Sequence, residues 1–155
     1  MIDVVDRATR SRMMAGIRGK NTKPEIMVRK TLHARGFRFR LHRKDLQGSP
    51  DLVLPKYRAV IFINGCFWHG HNCHLFKWPQ TRSDFWYSKI KGNIYRDQRS
   101  LDELLRLGWR VCTLWECEIK GVGEYRRLEV IDELESWLKS SSIKIDMPHS
   151  RTQCE

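Results

Sequence analysis

The stretch DLVLPKYRAVIFI, which spans residues 51–63, carries the clearest indication of the fold. Two short and mostly apolar runs, at 51–54 and 59–63, flank the tetrapeptide Pro55-Lys56-Tyr57-Arg58. Short apolar runs on either side of a proline-containing turn are typical of adjacent strands joined by a hairpin. Because neither run alternates with polar residues, we predict that both strands are buried.

The residues before this hairpin predict one helix and one further strand. The sequence Thr22-Lys23-Pro24-Glu25 has the form of a capping box with proline in the first turn, and it predicts a helix that Gly36 closes. Residues 37–41 alternate between apolar and basic side chains, which predicts a strand with one basic face. Gln47-Gly48-Ser49-Pro50 is typical of a turn.

The residues after the hairpin predict a loop from 64 to about 80, then a helix, a strand and a last helix. Apolar residues at near-helical spacing predict one long or broken helix that ends at Gly108; they are Trp86, Ile90, Ile94, Leu101 and Leu105. Residues 109–115 predict a strand. The final amphipathic helix is marked by Leu128, Ile131, Leu134 and Leu138. This order of elements predicts an α/β domain in which helices flank a mixed sheet.

The length of 155 residues suits a single domain, which we place at 1–140. A predicted N-terminal helix at 8–17 carries Arg10, Arg12 and Met14. The basic helical region to which it belongs covers about residues 1–22. Residues 141–155 are expected to form a flexible tail.

The charge distribution points to a polyanionic partner. The chain has 29 Lys and Arg residues against 18 Asp and Glu residues, a net charge of +11. Residues 1–45 hold 13 of the basic and four of the acidic residues, whereas the remainder holds 16 and 14. A basic region of this kind is the electrostatic footprint of nucleic-acid binding. The alternative explanation is a solvated surface with no partner.

The hydropathy pattern excludes a membrane span, because the longest apolar run, at 59–63, is far too short. No signal peptide is visible at the N-terminus, and we expect a cytoplasmic protein. In that compartment the five cysteines are better explained as metal ligands or core thiols than as disulfides.

The loop CFWHGHNCH, residues 66–74, holds five Cys or His residues within nine positions. Tetrahedral zinc takes four such ligands, and short spacings let one segment supply several of them. We predict a structural zinc site closed by a distant cysteine. Cys117 is the best candidate because it lies just past the strand at 109–115, whereas Cys112 suits a core thiol and Cys154 lies in the tail. The alternative is a loop of ordinary histidines and buried thiols.

At least one histidine of the loop is left over, because a single zinc ion takes only four ligands. A histidine held beside a structural metal is well placed to exchange a proton near a phosphate.

Asp51 and Glu25 are the candidates for a site that binds a hard cation. Cleavage of a phosphodiester needs a cation that neutralises the developing charge and lowers the pKa of a water. Carboxylates and carbonyls at the ends of adjacent strands suit Mg²⁺. Each residue also has a structural explanation, Asp51 as the start of a strand and Glu25 as the third position of the capping box.

The segment VIFINGCFWHGHNCH, residues 60–74, closely resembles the core of the very-short-patch-repair DNA mismatch endonucleases. The resemblance runs from about residue 6 to about residue 140, and its Gly-Cys-Phe-Trp-His block is highly specific. Further matching motifs are ATRS at 8–11, PD at 50–51, TRSDFW at 81–86, GWRV at 108–111 and WEC at 115–117.

The resemblance implies a restriction-endonuclease-like fold with one structural zinc. It also implies an enzyme that nicks one strand at T·G mismatches left by deamination of 5-methylcytosine. By this resemblance Asp51 is the direct Mg²⁺ ligand, together with the Ile63 carbonyl. Glu25 reaches a metal-bound water, and His69 is the general acid or base. The implied zinc ligands are Cys66, His71, Cys73 and Cys117.

The resemblance also implies an aromatic wedge that enters the duplex beside the mismatch, with the N-terminal helix against the other groove. The residues predicted to contact DNA are Phe67, Trp68, Trp86, Met14, Arg10 and Arg12. A mismatched step costs less to unstack, and stacking on aromatic rings offsets that cost by about 1–3 kcal/mol per base. Trp86 lies on an apolar helix stripe, so core packing stays the alternative for it.

Position 64 departs from the best-known family pattern, because Asn64 stands where that pattern has a histidine assigned to the attacking water. Asparagine cannot take a proton, although it can orient a water or bind a phosphate. His69 is then the only titrating partner of the reaction.

Two other functions stay open from the sequence. One is a Mg²⁺-dependent endonuclease of the same fold with a different target. The other is a non-catalytic, zinc-containing DNA-binding protein. The expected partner is double-stranded DNA with a T·G mismatch, in a bacterial cytoplasm and associated with the nucleoid. Mismatch-repair proteins and a functionally linked cytosine-5 methyltransferase are further candidate partners.

Overall fold

The computed structural model describes residues 21–148, which form a five-stranded sheet with three α-helices. The strands lie side by side in chain order and are β1 (Arg40–Leu41), β2 (Leu52–Leu54), β3 (Ala59–Asn64), β4 (Arg110–Trp115) and β5 (Lys144–Met147). The helices are α1 (Lys23–Ala34), α2 (Ser83–Arg106) and α3 (Glu124–Leu138). Two 3-10 turns lie at Pro55–Tyr57 and Glu116–Glu118.

The sheet is mixed, as the sequence predicted. Strands β1, β2 and β3 pair antiparallel, whereas β3–β4 and β4–β5 are parallel. The predicted hairpin is confirmed, with Leu52 opposite Ile61 and the turn closed by Arg58 in the left-handed region at φ 46°. Each parallel pair needs a helical crossover, and α2 and α3 supply the two crossovers.

Helices cover both faces of the sheet, which explains why β2 and all but the last residue of β3 are apolar. On one face the core side chains of α1 and α3, such as Val28 and Leu134, pack against Ile61 and Leu114. On the other face α2 packs Leu104 against Val60 and its neighbours. The prediction of an α/β domain with helices flanking a mixed sheet is therefore confirmed.

Helix α1 begins and ends, and helix α2 ends, close to the capping residues and glycines that the sequence analysis used to predict these boundaries. Helix α1 begins after Thr22, whose Oγ1 accepts a hydrogen bond from the Glu25 N–H at 3.4 Å. Gly36 follows its end with φ 93°, a conformation that glycine adopts without steric cost. Helix α2 is one continuous helix of 24 residues rather than a broken one, and Gly108 follows it with φ 90°.

The strand predicted at 37–41 is shorter than expected. Only Arg40 and Leu41 pair with β2. The Phe37 N–H instead donates to the Leu32 carbonyl at the end of α1, and the Phe37 ring is buried in the core. The apolar side chain at 37 therefore completes a helix end and does not belong to a strand.

A strand lies where the sequence analysis expected a flexible tail. Residues Lys144–Met147 form β5 and pair parallel with Val111–Leu114. Met147 alone is buried in this strand, and the other three residues are exposed or partly exposed. Ile143, Ile145 and Met147 alternate with Lys144 and Asp146, a period-two pattern typical of a strand that the sequence analysis did not recognise.

The N-terminal helix predicted at 8–17, with Arg10, Arg12 and Met14, lies outside the described residues, as do residues 149–155. Within residues 21–148 no helix is long and apolar enough to cross a membrane.

Candidate active site and metal site

One edge of the sheet collects the predicted catalytic residues. Strand β2 starts at the edge where its antiparallel neighbour β3 ends, so Asp51 lies near the last residues of β3. The Ile63 N–H donates to Asp51 Oδ2 at 2.6 Å, and this bond fixes the carboxylate against the end of β3. Asn64 is buried, with 8% of its surface exposed.

Glu25 reaches the same edge from the first turn of α1. Its side chain is buried, with 3% of the residue exposed, and Oε2 accepts a hydrogen bond from the Asn21 N–H at 3.0 Å. In a reciprocal capping box this bond would come from Thr22, so the glutamate binds one residue further back than the motif predicts. Glu25 therefore closes the helix end and also presents a buried carboxylate to Asp51.

His42 joins these two acids and was missed by the sequence analysis. One ligand atom from each of Glu25, His42 and Asp51 lies within 4.8 Å of the other two, and we call this group the carboxylate cluster. The His42 N–H donates to the Asp51 carbonyl at 3.4 Å, and Nε2 lies 3.6 Å from Glu25 Oε2. A lone histidine after a short strand gives no signal in the sequence, because its partners are far away along the chain.

The environment of Asp51 opposes its ionisation. Burial raises its pKa to about 7, and the nearby Glu25 carboxylate adds to the effect. The hydrogen bond from the Ile63 N–H acts in the opposite direction, as does the nearby His69. Two carboxylates that disfavour each other's charge form an environment that a divalent cation would stabilise.

His69 is paired with an aspartate that the sequence analysis did not identify. His69 Nδ1 lies 2.5 Å from Oδ2 of Asp97, a residue of α2. A carboxylate accepts hydrogen bonds, so Nδ1 donates, and Nε2 is the ring nitrogen that can exchange a proton with a ligand in the cleft. His69, Asp97, Glu25, Asp51 and Asn64 all line this one cleft.

The cysteine cluster lies at the same end of the molecule. The structure brings together the four predicted zinc ligands Cys66, His71, Cys73 and Cys117, with one ligand atom of each within 4.8 Å of the others. Cys117 lies in the 3-10 turn that follows β4, whereas Cys112 is fully buried in the middle of β4, within the core. Zinc binding by the cluster stays a prediction.

Neighbouring side chains hold the cysteine cluster in place. The Cys66 N–H donates to Glu116 Oε1 at 3.0 Å, and the His71 ring stacks on Trp115 with centroids 4.2 Å apart. The side-chain hydrogen bond with Cys117, together with burial, raises the pKa of the Cys66 thiol, and burial lowers the pKa of His71. A neutral imidazole is the form that binds metal, and a bound cation would favour the thiolates.

The three predicted wedge residues contact one another beside the cleft. Ring centroids are 5.2 Å apart for Phe67–Trp68, 5.4 Å for Phe67–Trp86 and 5.8 Å for Trp68–Trp86. All three are partly exposed, and Phe85 next to them is 45% exposed. Trp86 therefore packs against this aromatic group and not in the core between sheet and helices.

Comparison with known proteins assigns the chain to a family. The family described as DNA mismatch endonuclease Vsr matches residues 2–75 of the chain. The DNA mismatch endonuclease Vsr of Escherichia coli is 43% identical over 148 residues, which cover 94% of this chain and 95% of that protein. The chain belongs to the Vsr DNA mismatch endonuclease family. The resemblance on which the sequence analysis relied is thereby confirmed.

Two further relatives of the Vsr family are described as type II nicking enzymes. V.XorIIP of Xanthomonas oryzae pv. oryzae is 47% identical over 134 residues, covering 85% of this chain and 98% of the relative. V.NmeAIP of Neisseria meningitidis is 46% identical over 121 residues, covering 78% and 86%. The similarity to Vsr proteins therefore includes the strands and helices that follow residue 75.

Proposed function

We propose that this chain is a DNA mismatch endonuclease that depends on Mg²⁺ and nicks one strand of duplex DNA at a T·G mismatch. The observation that carries the proposal is the carboxylate cluster beside the His69–Asp97 pair, at a sheet edge flanked by partly exposed aromatic rings. In this arrangement, residues suited to phosphodiester hydrolysis lie next to aromatic rings that can stack on bases. Membership in the Vsr family supports the same activity.

The donor set of the carboxylate cluster fits a divalent cation. Two carboxylates, one buried and one partly buried, lie together, and within residues 21–148 neither forms an ion pair with a Lys or Arg side chain. Asp51 and the Ile63 carbonyl would hold Mg²⁺, and Glu25 would reach it through a water. When bound, Mg²⁺ would stabilise the negative charge on the phosphate and lower the pKa of a water.

His69 would move the proton. With Nδ1 held by Asp97 at 2.5 Å, Nε2 is the atom that can give a proton to, or accept one from, an oxygen at the scissile phosphate. Asp97 would fix the ring orientation and stabilise the protonated imidazole, as the acidic member of a triad does. Asn64 would orient the attacking water through its side-chain amide, because it cannot take the proton itself.

The aromatic rings would recognise the mismatch. Phe67, Trp68 and Trp86 form one contiguous group, so they can enter a base step together. Stacking worth about 1–3 kcal/mol per base offsets an unstacking cost that is lowest at a mismatched pair. Arg10, Arg12 and Met14 stay predicted DNA contacts of the N-terminal region.

The cysteine cluster would hold a structural zinc. Its four donors are the soft and borderline ligands that zinc prefers, and saturating them leaves no open position for catalysis. We further propose that residues 1–140 form a single domain with a restriction-endonuclease-like fold. The enzyme would act at the bacterial nucleoid. It would be linked in function to a cytosine-5 methyltransferase and would interact with mismatch-repair proteins.

A nicking assay tests the proposed function. End-labelled duplexes, matched or with one T·G pair in several methyltransferase contexts, are incubated with and without Mg²⁺. We expect a single nick beside the mismatched T that needs Mg²⁺ and is absent from matched DNA. Equal cleavage of both duplexes would support a nuclease with another target. Tight binding without cleavage in every context would support a zinc-containing DNA-binding protein.

A further inference from the structure

His42 is held at the carboxylate cluster by its backbone as well as by its position after β1. Its N–H donates to the Asp51 carbonyl at 3.4 Å, and its φ of 49° lies in the left-handed region. Histidine adopts this region at a steric cost, and such residues concentrate at functional sites. The fold therefore holds an imidazole against two carboxylates in a conformation that a strand residue would not adopt by itself.

The buried ring nitrogen of His42, Nε2, forms no hydrogen bond with any described residue. Its separation of 3.6 Å from Glu25 Oε2 is too long for a hydrogen bond. Buried polar atoms in proteins are nearly always satisfied, and a cation shared with the neighbouring carboxylates would satisfy this nitrogen.

We propose that His42 Nε2 is a direct ligand of the cation that Asp51 holds and Glu25 reaches through a water, and that this nitrogen shifts the site's preference from Mg²⁺ towards Mn²⁺. The inference rests on the cation site of the proposed function and adds a ligand to it. The three ligand atoms lie within 4.8 Å of one another. Ligands at roughly 2.1 Å from one ion are at most about 4.2 Å apart, so a shift of about half an ångström suffices.

The chemistry of the donor set gives the direction of the preference. Carboxylates bind Mg²⁺ and Mn²⁺ alike, whereas an imidazole nitrogen is a poor ligand for Mg²⁺ and a good one for first-row transition metals. With the imidazole added as a ligand, the site therefore gains more affinity for Mn²⁺ than for Mg²⁺. The same nitrogen gives Mn²⁺ a spectroscopic signature that oxygen ligands cannot produce.

Electron paramagnetic resonance on the full-length, zinc-loaded protein tests the inference without any measurement of activity. Mn²⁺ is titrated, Mg²⁺ affinity is obtained by competition, and the spin-echo spectrum of bound Mn²⁺ is recorded for ¹⁴N coupling. We expect imidazole ¹⁴N coupling in the unmodified protein. In His42→Gln we expect that coupling to disappear, Mn²⁺ to bind about tenfold more weakly, and Mg²⁺ affinity to change by less than about threefold.

The control variant is His33→Gln, which makes the same substitution at an exposed histidine of α1 and should leave Mn²⁺ binding unchanged. Bound Mn²⁺ without ¹⁴N coupling in the unmodified protein would overturn the inference, and this result needs no variant that must fold. Unchanged coupling in His42→Gln would overturn it as well. Asp51→Asn separates the two proposals: if it leaves binding of both ions intact, the cation site of the proposed function is itself wrong.

Discussion

The carboxylate cluster and the cysteine cluster lie at the same end of the sheet but are built in opposite ways. Three of the four cysteine-cluster residues come from one loop of eight residues, 66–73, and the turn just beyond β4 supplies the fourth. The carboxylate cluster takes its three residues from α1, the end of β1 and the start of β2. The cysteine cluster therefore organises a single loop, whereas the carboxylate cluster forms only when α1, β1 and β2 are assembled.

The two clusters also differ in their expected effect on the stability of the fold. Thiols are stable when protonated in a buried site, and burial raises the pKa of the Cys66 thiol. Buried carboxylates lose hydration and repel one another, and the pKa of Asp51 is raised to about 7 as a result. We therefore expect the cysteine cluster to contribute stability when zinc is bound, and the carboxylate cluster to lower stability in exchange for catalysis.

The largest expected effect concerns Asp51 and activity. Asp51→Ala should lower the nicking rate by at least about a thousandfold, because it removes the carboxylate that would hold the cation at the reacting phosphate. Affinity for mismatched DNA should change by less than about threefold in a gel-shift titration, since the aromatic rings and basic residues stay in place. A parallel loss of DNA affinity would contradict this expectation and make the carboxylate cluster part of the DNA-binding surface.

The cysteine cluster should show its effect in stability. Cys117→Ser should lose its zinc and lower Tm by at least about 10 °C, because structural zinc contributes several kcal/mol and each kcal/mol shifts Tm by about 2–4 °C. The measurements are metal analysis and thermal unfolding by circular dichroism. Cys112→Ala is the matched control and should retain one equivalent of zinc, since this thiol lies in the core. Equal zinc content in both variants would be incompatible with Cys117 as a ligand.

The contrast between the clusters also explains which residues can be predicted from sequence. Ligands that lie close together in one loop are visible as a motif, so the spacing alone predicts a zinc site in this loop closed by Cys117, whereas only the resemblance to a family selects His71 among the histidines. Asp51 and Glu25 are ambiguous from their local sequence, because a strand start and a capping box account for them equally well. Only the resemblance to a family gave them roles.

The residues that were missed depend on contacts between distant segments. Asp97 contacts His69, which lies 28 residues away in the sequence. His42, which follows β1, contacts Glu25 of α1. No periodicity or spacing encodes such a pair. Strand β5 was missed for a different reason, because the alternating Ile143, Ile145 and Met147 are a local signal that was overlooked.

Asp97 should matter for the rate and not for binding. Asp97→Asn should lower kcat by about tenfold to a hundredfold with KM nearly unchanged, because His69 loses the carboxylate that orients its ring and stabilises its protonated form. The pH–rate profile should change shape as well, which a purely structural role of Asp97 would not produce. As a control, Asp102→Asn changes an exposed carboxylate of the same helix and should leave the rate unaltered. A profile identical to that of the unmodified enzyme would argue against the pair.

The destabilising effect of the carboxylate cluster can be measured as a change in the free energy of unfolding. Because the folded-state pKa of Asp51 is about 7, above its ordinary 3.8, ionising Asp51 destabilises the fold. This destabilisation grows as pH rises from about 4 and is complete above about 7. In Mg²⁺-free buffer, Asp51→Asn should raise the free energy of unfolding by about 1–3 kcal/mol at pH 8, and have little effect near pH 4. Urea titrations at both pH values check this, and a lower stability at pH 8 would contradict it.

The smallest expected effect is at Asn64, between the two clusters. Asn64 is buried at the end of β3, next to Ile63, and the segment that follows it leads directly into Cys66. Because an asparagine can only orient a water, a histidine there would add a proton acceptor without removing the cation ligands or the His69–Asp97 pair. We expect Asn64→His to retain the nicking rate or raise it, by no more than about tenfold, with zinc content unchanged. Single-turnover nicking of T·G duplexes measures the rate, and circular dichroism confirms the fold. Complete loss of nicking in a folded, zinc-loaded variant would mean that the asparagine amide makes a contact in the reaction that an imidazole cannot replace.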